Sequence, residues 1–189
     1  MALVNTFFEN KVDRLREVTR RFASALDQAG ISYRIVGGYA VFCHVDRIEP
    51  LAARLTRDVD VAIDRHDLDR IARAVEPHGM KFRHVAGVDM LVDANEPRAR
   101  SAIHLIFVNE KVREEYLEPV PDFSEPTRTV EGILLAPVAD LVKMKLTSFR
   151  LKDKVHIQDM DSVGLITPEI EAGLSEPLRS RLGEVRATE

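Results

Sequence analysis

The chain has 189 residues, of which 45% are hydrophobic and 31% are charged, and its net charge is −4. This mixture excludes a disordered chain, and the length fits one domain, or one domain with a small helical appendage. With 27 basic against 31 acidic residues, no global positive field would draw the protein onto long nucleic acid.

Two features of the sequence bear on location. Residues 1–15 lack a basic segment followed by a long apolar run, and the apolar run at 133–142 is interrupted by Pro137 and Asp140. We therefore expect neither secretion nor insertion into a membrane. Cys43 is the single cysteine, which excludes an intramolecular disulfide and a zinc site built from several cysteines. A reducing, cytoplasmic location fits best.

The N-terminal segment has the spacing of an amphipathic helix that ends at Gly30. Its apolar stripe consists of Val12, Leu15, Val18, Phe22, Ala25, Leu26 and Ala29. The opposite face carries four arginines, which is typical of a solvated helix surface, and a basic binding patch is the less favoured alternative.

The next segments predict a strand, a glycine turn, a helix and a second strand. SYRIVGG (32–38) is typical of a buried strand that enters a turn, and YAVFCHV (39–45) favours a helix. In RDVDVAID (57–64), strand alternation places Val59, Val61 and Ile63 on one face and Asp58 and Asp60 on the other.

Downstream of these elements, the pattern predicts a helix within 65–80 that is stopped by Pro77 and Gly79, one strand within 81–93 and an apolar inner strand within 101–109. The proline-rich segment 115–132 then indicates a change of organisation. We expect helices near 138–151 and 152–166, and two more that begin at Thr167 and Ser175. This predicts an α/β domain over 1–120 and a helical region over 121–189 packed on it.

The chemistry depends on two short stretches. Asp58 and Asp60 project from one face with Cβ atoms about 6–7 Å apart. Two such carboxylates suit magnesium, which also takes substrate phosphates and water. Gly37 and Gly38 let backbone N–H groups approach a triphosphate at the N-terminus of the following helix. Taken alone, the glycines are more often a tight turn and the aspartates surface charge.

The order and spacing of the two stretches resemble a known signature. VGGYA followed by RLTRDVDVAI resembles the DNA polymerase beta-like nucleotidyltransferase superfamily, with a Gly-Gly or Gly-Ser turn before Asp-x-Asp or Asp-x-Glu on the next strand. Arg54 and Thr56, which precede the aspartates, make the stretch similar to the toxin-type members found in bacterial toxin-antitoxin and abortive-infection pairs. Segment 140–161 is similar to the helical segment that follows the catalytic domain there, so the resemblance spans about residues 31–163.

The resemblance implies a nucleotidyltransferase-like mixed β-sheet flanked by helices, with a small helical C-terminal part. It also implies Mg²⁺, or Mn²⁺, bound by Asp58 and Asp60. The implied reaction transfers a nucleoside monophosphate from a nucleoside triphosphate to a hydroxyl group. The acceptor is RNA, a protein or a small molecule, and an antitoxin or a second copy of the chain is a candidate partner.

One departure from the family pattern concerns the third carboxylate, which normally lies on a later strand. The matching stretch here is AIHLIFVN, and position 104 is a histidine. A neutral imidazole is a poor magnesium ligand, so the metal should bind more weakly. His104 is a candidate general base, and a packed, hydrogen-bonded histidine is the alternative. Asp89 or Asp93 supplies the missing oxygen if the strand register allows it.

Basic residues around the predicted site are candidates for binding phosphates. They are Arg57, Lys143, Lys145, Arg150 and Lys152, with Lys145 and Lys152 preferred from the resemblance. A solvated helix surface is the alternative for the lysines.

The favoured interpretation of the whole sequence is a nucleotidyltransferase. The alternative is a catalytically silent nucleotide-binding or partner-binding member, which the histidine at 104 motivates, and a purely structural module ranks last.

Overall fold

The structure is a computed structural model that describes residues 2–54, 56, 58–95 and 102–188, with side chains from residue 12 onward. The described residues form seven α-helices, which are α1 (Ala2–Ala29), α2 (Gly37–Asp46), α3 (Leu68–Val75), α4 (Val138–Ser148), α5 (Leu151–Ser162), α6 (Pro168–Ala172) and α7 (Glu176–Arg186). They also form seven strands, which are β1 (Tyr33–Val36), β2 (Val59–Ile63), β3 (Met80–Val85), β4 (Val88–Asp93), β5 (Ile103–Phe107), β6 (Thr127–Arg128) and β7 (Leu134–Leu135).

The strands form one mixed sheet in the order β3-β4-β5-β2-β1-β7-β6. β2 is parallel to β5, and β1 is parallel to β7, whereas the other neighbouring pairs are antiparallel. β5 lies between β4 and β2, as the apolar run at 101–109 predicted. The predicted mixed sheet flanked by helices is confirmed.

The two faces of the sheet differ in chemistry, as the alternation along β2 predicted. Val59, Val61 and Ile63 are buried on the face that α1 covers, where Phe22 contacts Tyr33 edge-on with ring centroids 5.4 Å apart. The predicted stripe of α1 is buried except for Ala29, the last residue of the helix, which is exposed. Asp60 alternates with Val59 and Val61 along β2, so it lies on the opposite face of the sheet. β2 is the fourth of the seven strands, which places this carboxylate near the middle of the sheet.

The structure differs from the sequence prediction in two places. Residues 81–93 form two antiparallel strands, β3 and β4, joined by Ala86 and Gly87, where a single strand was expected. Both turn residues have positive φ, 51° and 77°, which is the geometry of a two-residue hairpin turn. In addition, the proline-rich segment contains β6 and ends shortly before β7, and both strands join the sheet.

The C-terminal helices pack on the sheet through the same hydrophobic core as the N-terminal elements. Pro137 precedes α4, as predicted, and the Thr167 side chain accepts a hydrogen bond from the Ile170 amide at the start of α6. β7 pairs with β1 through Ile35 and Leu135. The division at residue 120 stays a prediction. No helix within the described ranges combines the length and apolarity needed to cross a membrane.

Candidate functional site

The glycine turn begins where β1 ends, and α2 starts at Gly37 itself. Gly37 has φ +67°, a conformation that L side chains rarely adopt. The first N–H groups of a helix have no partner within the helix, and they carry the positive end of its dipole. The turn therefore presents unpaired donors at the end of β1, beside β2.

The Asp60 side chain lies directly against this turn. A Cβ added at Gly37 would stand 2.1 Å from Asp60 Oδ2, which is closer than any side chain allows. The contact follows from the pairing of Val36 with Asp60 across β1 and β2. Asp58 precedes β2 by one residue and borders the same groove. The structure thus brings together the glycine turn and the two carboxylates that the sequence singled out.

His104 lies beside Asp60 because β5 pairs with β2 at this position. Its Nδ1 atom is 3.4 Å from Asp60 Oδ1. Contact with the Asp60 carboxylate raises the pKa of His104 above its ordinary value, although partial burial opposes the shift. The imidazole occupies the place beside Asp60 where the resemblance implies a third carboxylate.

Neither Asp89 nor Asp93 supplies that carboxylate. Asp89 pairs with Leu105, and Leu105 pairs with Val61, so the register places Asp89 on the face of the sheet opposite to Asp60. Its Oδ1 atom is 2.6 Å from His84 Nδ1. Asp93 shares that face and accepts a hydrogen bond from Arg21 Nη2 at 2.9 Å.

Lys145 lines the groove, but its charge already has a partner. Its side chain is 7% exposed, and Nζ donates to Asp153 Oδ1 at 3.1 Å. Burial lowers the pKa of Lys145, and Asp153 opposes that shift. Burial alone would raise the pKa of Asp153, but Arg150, Lys145 and Ser148 outweigh it and lower this pKa to about 2. The pair joins α4 to α5, and Lys145 borders the same groove as the two carboxylates.

The other predicted phosphate ligands fall into three groups. Lys152 and Arg150 border the groove; Lys152 is exposed and makes no ion pair within the described part of the chain, whereas Arg150 Nε donates to Asp153 at 2.7 Å. Lys143 does not border the groove. Arg57 lies outside the described residues, so its predicted role stays a prediction.

Thr56 and His156 complete the wall around the second glycine. A Cβ on Gly38 would stand 2.8 Å from Thr56 Oγ1 and 3.3 Å from His156 Cε1. Burial lowers the pKa of His156 to about 4, with nearby lysines adding to the shift, and its Nδ1 atom is buried without a hydrogen-bond partner. The sequence prediction omitted His156, although its spacing of four from Lys152 places both residues on one face of α5.

Arg54 holds the segment that precedes the carboxylates. Its Nε atom donates to Asp159 Oδ1 on α5 at 2.8 Å. The guanidinium is otherwise largely exposed, whereas Asp159 is buried. The residue therefore links the chain before Asp58 to the helix that carries Lys152 and His156, which is consistent with its presence in the motif that the sequence singled out.

These residues lie at one end of a groove of about 1050 Å³. The groove continues over β4 and β5 to the β3–β4 turn and to the segment 110–120. Cationic residues of α4 and α5 border it on one side, and the carboxylates of β2 lie at its floor. This arrangement of opposite charges suits a polyanion whose charge is shared with a divalent cation.

The donor set agrees with magnesium bound mainly by substrate. Asp58 and Asp60 are two carboxylates. Magnesium usually binds one or two carboxylates of a protein, and phosphates and water complete its coordination shell. No group of three or more His, Cys, Asp or Glu residues within the described ranges is arranged to hold a metal unaided. Asp58 and Asp60 therefore fit a divalent cation whose remaining ligands come from outside the described residues.

Comparison with solved structures identifies the fold. A nucleotidyltransferase-like protein from Paracoccidioides brasiliensis superposes with a TM-score of 0.62 at 22% identity, over 94% of this chain and 89% of that one. The antibiotic-resistance factor ANT(2'')-Ia superposes with a TM-score of 0.55 at 13% identity, over 94% and 95% of the two chains. No protein-family model matches the sequence, and no curated protein matches it. The chain therefore has a nucleotidyltransferase-like fold, with its glycine turn and paired carboxylates at the edge of a single groove.

Proposed function

We propose that the protein is a nucleotidyltransferase that transfers a nucleoside monophosphate from a nucleoside triphosphate to a hydroxyl acceptor, with magnesium. The observation that carries the proposal is the contact between the Gly37 backbone and the Asp60 carboxylate. A loop that can bind phosphates and a carboxylate that can bind a cation are then adjacent, as the chemistry requires. The likeness in fold to a nucleotidyltransferase-like protein supports the same conclusion.

The glycines, the aspartates and the lysines of the groove contribute to this reaction in different ways. Amides of Gly37 and Gly38 bind the β- and γ-phosphates, and Lys152 neutralises their charge. Asp58 and Asp60 hold the magnesium ion, which when bound neutralises phosphate oxygens and favours attack at phosphorus. Lys145 has its charge paired with Asp153, so its contribution is to hold α4 and α5 in place beside the carboxylates.

The reaction is an in-line displacement at the α-phosphate. The acceptor hydroxyl forms a new oxygen–phosphorus bond, the bond to the bridging oxygen of the β-phosphate breaks, and pyrophosphate leaves with that oxygen. The acceptor proton is lost from the attacking hydroxyl. His104, whose Nδ1 atom is 3.4 Å from Asp60 Oδ1, is the candidate to take it.

A second candidate function is nucleotide binding without transfer. The pairing of His104 with Asp60 favours it, because this histidine occupies the place of the third carboxylate and one oxygen of Asp60 already faces the imidazole. Such a protein would act by binding a partner, for example an antitoxin or a second copy of the chain, in a nucleotide-dependent way.

Thermal unfolding with each of the four nucleoside triphosphates and magnesium or manganese tests nucleotide binding. A ligand at a hundred times its Kd stabilises the folded state by about 2.7 kcal/mol. We expect stabilisation by at least one metal–nucleotide pair and its loss in the Asp58→Ala/Asp60→Ala variant. Asp13→Ala, an exposed acidic position on α1, is the matched control and should respond like the native protein.

Transfer of an α-phosphate label separates the two candidate functions. Metal-dependent labelling of an acceptor by the native protein, absent from the Asp58→Ala/Asp60→Ala variant, identifies an enzyme. Metal-dependent binding without labelling identifies the silent form. His104→Ala and His104→Asp then test the histidine, since equal labelling rates in both variants and the native protein remove it from the mechanism.

A further inference from the structure

The groove is at the upper end of the size range of pockets that bind single small molecules. Pockets for single small molecules enclose about 300–1000 Å³, and this groove encloses about 1050 Å³ while remaining open to solvent. The glycine turn and carboxylates occupy only one end. The remaining length runs over β4 and β5, away from the turn.

The direction from which the acceptor hydroxyl attacks places the acceptor in the remaining length of the groove. This step rests on the proposed function. In an in-line displacement the attacking and leaving oxygens lie on opposite sides of the phosphorus atom. The leaving pyrophosphate is held at Gly37 and Gly38, so the acceptor hydroxyl approaches from the far side of Asp60, where His104 and then β4 follow across the sheet.

The floor on that side is apolar. Met90 pairs with His104 and so faces the groove beside it. Val88 lies two residues from Met90 on β4, and Ile106 lies two residues from His104 on β5, so strand alternation places both on the same face. Val112 and Tyr116 border the groove above them. Val88 and Val112 are 42% and 51% exposed, which leaves apolar surface open to a ligand.

The charges around this floor disfavour a cationic acceptor. Beyond Asp58 and Asp60, the described carboxylates that border the groove are Glu110, Glu118 and, from the opposite face of β4, Asp89, and each has a hydrogen-bond partner. His84 lies against Asp89, Arg65 donates to Glu110 at 2.6 Å, and Ser175 donates to Glu118 at 2.5 Å. Lys111 and Arg113 add positive charge to the same rim. Asp89 and Glu110 face basic side chains, whereas Glu118 accepts from a neutral hydroxyl, so a polycation would find only one of these three carboxylates without a basic partner.

Tyr116 is the aromatic residue of this wall. Its side chain is partly buried at the groove, and no aromatic stack or cation contact involves this ring within the described part of the chain. Phe107, by contrast, is covered by the Arg65 guanidinium at 3.6 Å. An aromatic body stacked on Tyr116 would bury apolar area on both molecules.

We propose that the floor of Val88, Met90 and Ile106, walled by Val112 and Tyr116, is the acceptor subsite, and that the acceptor is a small alcohol or phenol with an apolar, preferably aromatic body and no positive charge. An RNA end is less suited, because on the floor itself its phosphates would lie over aliphatic side chains that donate no hydrogen bonds, while the basic Lys111 and Arg113 lie at the rim.

Labelling of chosen acceptors tests this inference. The probes are N-acetyltyrosine amide and 2-phenylethanol as uncharged aromatic acceptors, a polycationic amino sugar, and a short RNA with a free 3′ hydroxyl. Each is incubated with α-labelled nucleoside triphosphates and magnesium. The variants are Val88→Glu and Val112→Glu, which introduce charge at exposed positions of the subsite. Val130→Glu is the matched control, because Val130 is fully exposed on the turn between β6 and β7.

We expect labelling of the uncharged aromatic acceptors, and a loss of about tenfold or more in Val88→Glu and Val112→Glu, since a charge would then be desolvated under the acceptor. Nucleotide affinity, measured by calorimetry, should stay within about twofold of the native value because the phosphate site is untouched. Val130→Glu should match the native protein in both measurements.

Other outcomes overturn the inference, and one of them also overturns the proposed function. Labelling of the amino sugar or the RNA that Val88→Glu and Val112→Glu leave unchanged places the acceptor elsewhere. Nucleotide binding without labelling of either aromatic acceptor removes the inferred acceptor class and leaves nucleotide binding in place. Absence of metal-dependent nucleotide binding by the native protein overturns the proposed function, and the acceptor subsite with it.

Discussion

At the scale of single residues, Gly37 has the least room for a side chain among the glycines of the chain. Gly37→Ala would force an L residue into φ +67° and place its Cβ 2.1 Å from Asp60 Oδ2. The conformation alone costs about 1–2 kcal/mol, and the overlap adds about 1–3 kcal/mol unless Asp60 moves. We expect a lower unfolding free energy by denaturant titration and loss of stabilisation by magnesium with nucleotide.

Gly132→Ala is the control for that prediction. Gly132 has φ +82°, and no atom lies within 4 Å of an added Cβ, so the substitution carries the conformational penalty without the overlap. It should retain the response to magnesium and nucleotide. Equal losses of stability in the two variants, with the ligand response intact in both, would show that Gly37 is required for its backbone conformation only.

The residues around Gly37 also show which parts of the site a sequence can predict. The glycine pair and the two aspartates are local signals, because strand alternation fixes which way Asp58 and Asp60 point. The partners of Asp60 are not local. His104 is 44 positions away in the chain and meets Asp60 through the parallel pairing of β2 and β5. Register decides such contacts, and a sequence pattern leaves register open.

Asp89 and Lys145 illustrate the same limit. Asp89 was a candidate third carboxylate, but the pairing of β4 with β5 turns it to the opposite face of the sheet. Lys145 was a candidate phosphate ligand from the resemblance, and its charge is bound by Asp153 in the fold. Its predicted role in phosphate binding stays a prediction, because Lys145 would have to bind phosphate while its ammonium group is paired with Asp153.

At the scale of secondary-structure elements, the Lys145–Asp153 pair joins α4 to α5. Asp153→Ala would leave the Lys145 ammonium buried without its partner, and loss of one member of a buried pair costs about 3–5 kcal/mol. We expect a loss of that order in the free energy of unfolding. Glu184→Ala, which removes the exposed partner of Lys154, is the control and should cost at most about 1 kcal/mol.

The same pair predicts how stability depends on acid pH. The pKa of Asp153 is about 2 in the folded chain against an ordinary value of 3.8. The unfolded chain therefore binds the proton more readily, so this carboxylate stabilises the fold above about pH 4 and loses its effect as the pH falls toward 2. We expect denaturant titrations of Asp153→Asn to depend less on pH in this range. An unchanged slope would contradict the depressed pKa.

The β3–β4 hairpin gives a second prediction at this scale. Ala86 has φ +51° and Gly87 has φ +77°, and a two-residue turn with both angles positive favours Asn-Gly. Ala86→Asn should stabilise the protein by about 0.5–1 kcal/mol, because asparagine tolerates this conformation better than alanine. The midpoint of denaturant unfolding measures the gain. Ala187→Asn, at an exposed position with φ −73°, is the control and should bring no such gain. A destabilised Ala86→Asn variant would contradict the assigned turn.

The missed elements lack a recognisable local signal, for two different reasons. α1, α4 and β2 carry a clear period in their apolar residues and β5 is a continuous apolar run, so the sequence predicts all four. The β3–β4 turn uses alanine where a turn signal would be glycine or asparagine, so the two strands read as one. β6 and β7 have two residues each, which is too short for any alternation to be recognised.

At the scale of the whole molecule, the C-terminal part completes the sheet as well as the groove. β7 is the parallel neighbour of β1, and the Ala136 amide donates to Ile35 O at 2.9 Å. His44 Nε2 on α2 is 2.9 Å from Ala136 O, and burial lowers the pKa of this histidine. α2, which begins at the glycine turn, also packs against α4 and α5. The N-terminal part of the site is thus supported by residues beyond 120.

This support predicts that residues 1–120 do not fold alone. Without β6 and β7, the β1 edge loses its partner, and the core loses the buried side chains of α4 and α5, including Leu141, Leu146, Ile157 and Met160. We expect a fragment of residues 1–120 to lack a cooperative unfolding transition and a dispersed amide NMR spectrum. Addition of a separately produced fragment of residues 121–189 should restore both, because the two parts share one core. Cooperative unfolding of the 1–120 fragment by itself would instead establish an independent domain that ends near residue 120.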